Sequence, residues 1–97
     1  MRYFFEIAFN GTNYHGWQIQ DNAISIQQVI QEKLALLTKQ KNVHITGCGR
    51  TDTGVHASQF YFHVDLKDIN DLNHFTFLLN NVLPLDIEIK QILVVSN

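Results

Sequence analysis

The chain has 97 residues, 45% of them hydrophobic and 11% aromatic, enough for one packed core and too apolar for wholesale disorder. One proline and five glycines exclude collagen-like and low-complexity architectures. The net charge of −2 excludes a strongly basic nucleic-acid coat, and its uneven spread (+1 over residues 1–64, −3 over 65–97) would direct a polyanion to the first two-thirds of the chain.

Tyr3, Phe5, Ile7 and Phe9 alternate with other residues, which predicts a half-buried strand over residues 2–10. From Asn10 to Asn22 the alternation stops and Gly11, Asn13, Gly16, Asp21 and Asn22 predict a long loop, a length that in compact domains often serves function. Ser25 with Gln28 forms a capping-box pattern, and Ile26, Val29, Ile30, Leu34 and Leu37 recur at helical spacing, predicting a helix over about residues 25–40. Val43 and Ile45 mark a short strand that runs into the glycine-rich stretch Gly47 to Gly54.

Between Ala57 and Leu66, Phe60, Phe62, Val64 and Leu66 share one face; Gln59, Tyr61, His63 and Asp65 share the other. Asn70 or Asp71 can cap a second helix that carries Leu72, Phe75, Leu78, Leu79 and Val82 and stops at Pro84. The last strand, Ile87 to Val95, changes phase between Ile89 and Ile92, which predicts a bulge near Gln91. The order β-α-β-β-α-β is the ferredoxin-like arrangement: an α+β domain with a four-stranded antiparallel sheet and both helices on one face. No repeat or linker interrupts it, so residues 1–97 are expected to form a single domain.

No apolar run reaches the roughly 18 residues of a membrane span, and MRYFFEIAFNG lacks the layout of a signal peptide. Cys48 is the lone cysteine, which excludes an internal disulfide and fits a reducing cytoplasm.

All five glycines fall in two loops, and between those of the second lie Arg50 and Asp52, with His56 just beyond. A dinucleotide fingerprint fails here: Gly47-x-Gly49-x-x-Asp52 lacks the third glycine and precedes a strand, not a helix. Asp52-Thr53-Gly54 is the tripeptide of aspartic proteases, but two capped helices do not suit that nearly all-β fold, and Gly49-Arg50-Thr51 replaces the apolar residues that precede its aspartate. His15, His44, His56 and His63 lack ligand spacing, so no metal is expected. There remains a lone carboxylate, able to act as nucleophile or general base while ionised, with Arg50 nearby to favour that state and to grip a phosphate. From charge spacing alone, a surface Arg–Asp pair of little energetic consequence fits equally well.

The stretch Gly49-Arg50-Thr51-Asp52-Thr53-Gly54-Val55-His56-Ala57 resembles the G-R-T-D-x-G-V-H-A signature of the tRNA pseudouridine synthase A family. Asn10 to Gln20 is similar to that family's D-G-T-x-Y-x-G-W-Q-x-Q loop, Ser25-Ile26-Gln27 to its S/T-V-Q helix start, and Leu83 to Ile87 to its L-P-x-D-I turn. The resemblance implies an enzyme that isomerises uridine to pseudouridine in the anticodon stem-loop of tRNA, at positions 38 to 40, without metal or cofactor. By the same resemblance Asp52 is the catalytic aspartate, acting at the ribose C1′, on a base extruded from its stack. Arg50, Thr51, Gly54, His56, Tyr14, Trp17, Gln18 and Gln20 are the implied RNA-binding residues, although a lone tryptophan serves packing as readily as stacking.

Asn10 departs from the family's aspartate, a change that a turn accepts. The family has a second, similar half that supplies a tyrosine for the target uracil, and it works as a homodimer. Residues 1–97 are accordingly expected to be the catalytic-aspartate half, inactive alone. The alternatives are an RNA-recognition-like module that holds RNA without chemistry, for which Tyr61 is the one aromatic read on the open face of the central strands, and an interaction domain that uses that face.

Overall fold

The computed structural model describes residues 1–18, 23–49 and 56–95. Six main elements follow one another: β1 (Arg2–Phe9), α1 (Ile26–Thr38), β2 (Ile45–Gly47), β3 (Ala57–Asp65), α2 (Leu72–Val82) and β4 (Ile87–Val95). The strands form one sheet in the order β2-β3-β1-β4, and every neighbouring pair is antiparallel. This is the ferredoxin-like α+β topology expected from the sequence.

The alternation in β1 becomes burial. Tyr3, Phe5, Ile7 and Phe9 enter one core with Phe60, Phe62 and Val64 of β3 and Ile87, Ile89 and Ile92 of β4. Ile26, Ile30 and Leu34 of α1 and Leu79 of α2 join that same core, so both helices cover the same sheet face. Phe5 and Phe62, opposed across the β1–β3 ladder, stack with ring centroids 4.7 Å apart.

Each helix begins where its cap predicts. The Ser25 hydroxyl accepts from the Gln28 N–H, and the Asp71 carboxylate accepts from the His74 N–H. α1 stops two residues short of the expected limit because Lys39 turns into the left-handed region (φ 58°). α2 stops ahead of Pro84, whose ring forces Leu83 into extended backbone (φ −76°, ψ 151°). Val43 lies outside the second strand although its side chain is buried, since the ladder with β3 starts only at Ile45. In β4 the phase slip is a bulge: Glu6 faces Gln91 and Ile7 faces Ile89, leaving Lys90 as the extra residue.

The uncovered face of the sheet carries more than Tyr61. Phe4 opposes His63 across the central strands, with ring centroids 5.8 Å apart. Beside them Glu6, only 8% exposed, accepts from Gln59 Nε2 at 2.9 Å and Gln91 Nε2 at 2.7 Å. These two hydrogen bonds, Gln59 first, hold the Glu6 carboxyl below the usual carboxylate range, with a smaller contribution from the charge of Lys90. Among the described residues, no helix is long and apolar enough to cross a membrane.

Candidate active site

β1 ends at the same edge of the sheet where β3 and β4 begin, and the first loop is folded down onto that edge. Asn10 starts it: its Oδ1 accepts from the backbone N–H of Thr12 at 3.0 Å and from the Thr12 hydroxyl at 2.7 Å, capping a single 3-10 turn, Gly11–Asn13. An aspartate would do the same, so the departure at Asn10 leaves the turn intact. The chain then passes Gly16, whose φ of 83° suits a residue without Cβ.

From there the loop supplies the start of α1. The carbonyl of Gly16 accepts from the Ile26 N–H and that of Trp17 from the Gln27 N–H. With the Ser25 cap, three donors that a helix N-terminus leaves unpaired are thereby satisfied.

Trp17 lies beneath this loop, 3% exposed, its ring 4.6 Å from Phe60 and 5.7 Å from Phe62 between centroids. Its indole also covers Gly47, where a Cβ would come within 2.3 Å of Nε1. In this structure Trp17 is therefore a packing residue that sets the height of the loop and offers no exposed stacking surface. Gln18 beside it is exposed and lines a recess of about 220 Å³ with Gln27, His44, Thr46, Gly47 and Gly49.

Two further residues clamp the loop. The Tyr14 hydroxyl donates to Asp86 Oδ1 at 2.6 Å, and Asn13 Nδ2 reaches Asp86 Oδ2 at 3.4 Å. The backbone carbonyl of Asp86 accepts from the Asn10 N–H at 2.8 Å. Burial, and then the bond to Asp86, push the Tyr14 phenol well above its ordinary range, so it remains a proton donor. The Gly11 N–H donates to His56 Nδ1 at 2.9 Å. A ring nitrogen that accepts carries no hydrogen, so the neutral imidazole holds its hydrogen on Nε2. Ala8, Asn10, His56, Ala57, Leu85, Asp86 and Glu88 surround a recess of about 320 Å³ at this edge.

Of the residues singled out in the sequence, the structure brings Tyr14, Trp17, Gln18 and His56 to this end of the sheet. Asp52, Arg50, Thr51, Gly54 and Gln20 lie outside the described residues. The flanks of the first four are fixed: Gly49 follows Cys48, whose N–H donates to Tyr61 O, and His56 is held by Gly11. Asp86, which binds the loop through three acceptors, enters the sequence only as the aspartate of the L-P-x-D-I-like turn, and no spacing there pairs it with Tyr14. The four histidines named above and the described acids gather into no group able to hold a metal ion.

These features define an α+β domain of ferredoxin-like topology in which Trp17 and Gln18 of the first loop line a recess with Gly47 and Gly49. No family model matches the chain. It is 52% identical to the tRNA pseudouridine synthase A 1 of Protochlamydia amoebophila, over 93% of the chain and 35% of that protein. It is 49% identical to the tRNA pseudouridine synthase A of Azobacteroides pseudotrichonymphae, over 98% of the chain and 38% of that protein. To that of Bacteroides thetaiotaomicron it is 43% identical, over 94% of the chain and 34% of that protein. The chain belongs to the tRNA pseudouridine synthase A family and spans little more than a third of the length of these relatives.

Proposed function

We propose that the chain is the catalytic-aspartate part of an enzyme that isomerises uridine to pseudouridine in the anticodon stem-loop of tRNA. The observation that carries this reading is the nine-residue stretch Gly49 to Ala57, centred on Asp52, in a chain 52% identical to a protein of that name. The reaction breaks the C1′–N1 bond, turns the uracil, and joins C1′ to C5; the C5 proton leaves and N1 gains one. Substrate and product have the same composition and oxidation level, so the residues need supply only position, charge and proton transfer.

Asp52 supplies the carboxylate at C1′, as nucleophile or in support of the departing base. Arg50 holds the neighbouring backbone or fills the place the base vacates. Thr51, Gly54 and Gln20 complete the RNA contacts with Tyr14, Gln18 and His56, while Trp17 supports the loop from below. The remaining length seen in the relatives supplies the rest of the cleft, the working enzyme is a cytoplasmic homodimer, and residues 1–97 alone do not turn over.

The test replaces Asp52 by asparagine in the protein as its own gene encodes it and follows tritium release from C5-labelled uridine in tRNA. Turnover is expected to fall at least about a thousandfold with RNA binding retained. A variant that keeps wild-type turnover removes Asp52 from the mechanism. A second reading, a module that holds RNA without chemistry, draws on Phe4, Tyr61 and His63, all on the open face of the two central strands. It gains if neither protein turns over and both bind RNA.

A further inference from the structure

Asp86 directs both carboxylate oxygens and its backbone carbonyl at one target, the first loop. Oδ1 takes the Tyr14 hydroxyl, Oδ2 takes Asn13 Nδ2, and the carbonyl takes the Asn10 N–H. Asp86 is itself fixed, because the Ile87 N–H donates to Pro84 O and closes the turn that contains it. The loop so held passes the constraint on: Gly11, one residue after Asn10, donates its N–H to His56 Nδ1. His56 is the first described residue after segment 50–55. Segments 72 positions apart in sequence therefore form one hydrogen-bonded chain that runs from the β4 turn through the first loop to the base of the segment bearing Asp52.

We infer that Asp86 is a positioning residue: by fixing the first loop it sets the orientation of His56, and with it the exit of the segment that carries Asp52. This rests on the proposed role of Asp52. The chain of bonds also sets chemistry at His56. With Nδ1 accepting from Gly11, the ring is left with Nε2–H as its donor, and among the described residues that donor has no partner. Asp86 thus acts at a distance, through the tautomer and placement of a histidine on the wall of the 320 Å³ recess.

The experiment uses the protein as its own gene encodes it, with Asp86→Ala and Asp86→Asn; asparagine keeps an Oδ1 able to accept from Tyr14. One measurement is amide exchange at Gly11 together with the ring-nitrogen shifts of His56. The other is kcat and KM for pseudouridine formation in tRNA. Asp86→Ala should raise Gly11 exchange at least about tenfold and let His56 sample both tautomers. It should lower kcat by about ten- to a hundredfold with KM within about threefold, and Asp86→Asn should recover most of both effects.

If Asp86→Ala leaves Gly11 exchange and the His56 tautomer as in wild type, the inference fails whether or not the protein modifies tRNA. Loosened exchange with unchanged kcat in an active protein overturns the positioning role. A wild-type protein without turnover refutes the proposed reaction and Asp86's part in it, while the exchange data still decide the coupling. Should Asp86→Ala fail to fold, Tyr14→Phe removes one bond of the three and is expected to move both measurements in the same direction, by less.

Discussion

Gly47 is a position where a single methyl group tests how the first loop is held. A Cβ there would lie 2.3 Å from Trp17 Nε1, 2.7 Å from Cε2 and 3.0 Å from Cδ1. Carbon and nitrogen in contact need about 3.5 Å, so the indole must retreat by more than an ångström. It has little room, because the same ring is 3% exposed and packs, tilted, against Phe60 and Phe62. Overpacking of this kind costs about 1–3 kcal/mol, and disturbing two aromatic contacts adds about 0.5–1.5 kcal/mol each. Replacing a strand glycine returns about 0.5–1 kcal/mol of backbone entropy, so Gly47→Ala should destabilise the chain by about 1–5 kcal/mol.

Urea unfolding followed by the fluorescence of Trp17, the sole tryptophan, measures both the loss and the altered surroundings of the ring. In a Trp17→Ala background, where urea unfolding is followed by far-ultraviolet circular dichroism because the fluorophore is gone, the same substitution should cost nothing or stabilise slightly, since the clash is gone. A loss below about 0.5 kcal/mol with unchanged emission, or an equal loss in both backgrounds, would refute the account of Trp17 as the loop's support.

Two other outcomes follow from the same structure. Gly16→Ala forces a Cβ into backbone at φ 83° and should cost about 1–2 kcal/mol, read as a lower urea midpoint, with α1 loosened at the end that Gly16 caps. Glu6→Gln puts an NH2 donor in place of one of the two oxygens that separately accept from Gln59 and Gln91, so the variant should be less stable than wild type at pH 7. The folded-state pKa of Glu6 is depressed, so its contribution is present above the unfolded carboxylate value of about 4.3 and is lost as pH falls through the lower folded value. Urea midpoints between pH 7 and pH 3 should therefore fall less steeply in Glu6→Gln, the remaining slope including Asp65, whose carboxyl Arg2 also holds low. Equal slopes in the two proteins would refute this assignment.

Much of this molecule is local in origin, and that part the sequence alone determined. Strand faces follow from a period of two, the α1 cap from Ser25, the α2 cap from Asn70 or Asp71 (of which the structure uses Asp71), the end of α2 from Pro84, and the bulge in β4 from a phase slip visible between Ile89 and Ile92. The Gly49 to Ala57 stretch likewise announced its family without any coordinates. Three readings needed the tertiary structure. Trp17 is packing and not platform because β2 brings Gly47 beneath it, and no spacing in the sequence records that approach. Phe4 joins Tyr61 and His63 only once antiparallel register sets it opposite His63. Asp86 is a partner of Tyr14 only because β4 lies beside β1. Propensity, caps and alternation act within a few residues, whereas a hydrogen bond across 72 positions exists only after chain closure has brought its ends together.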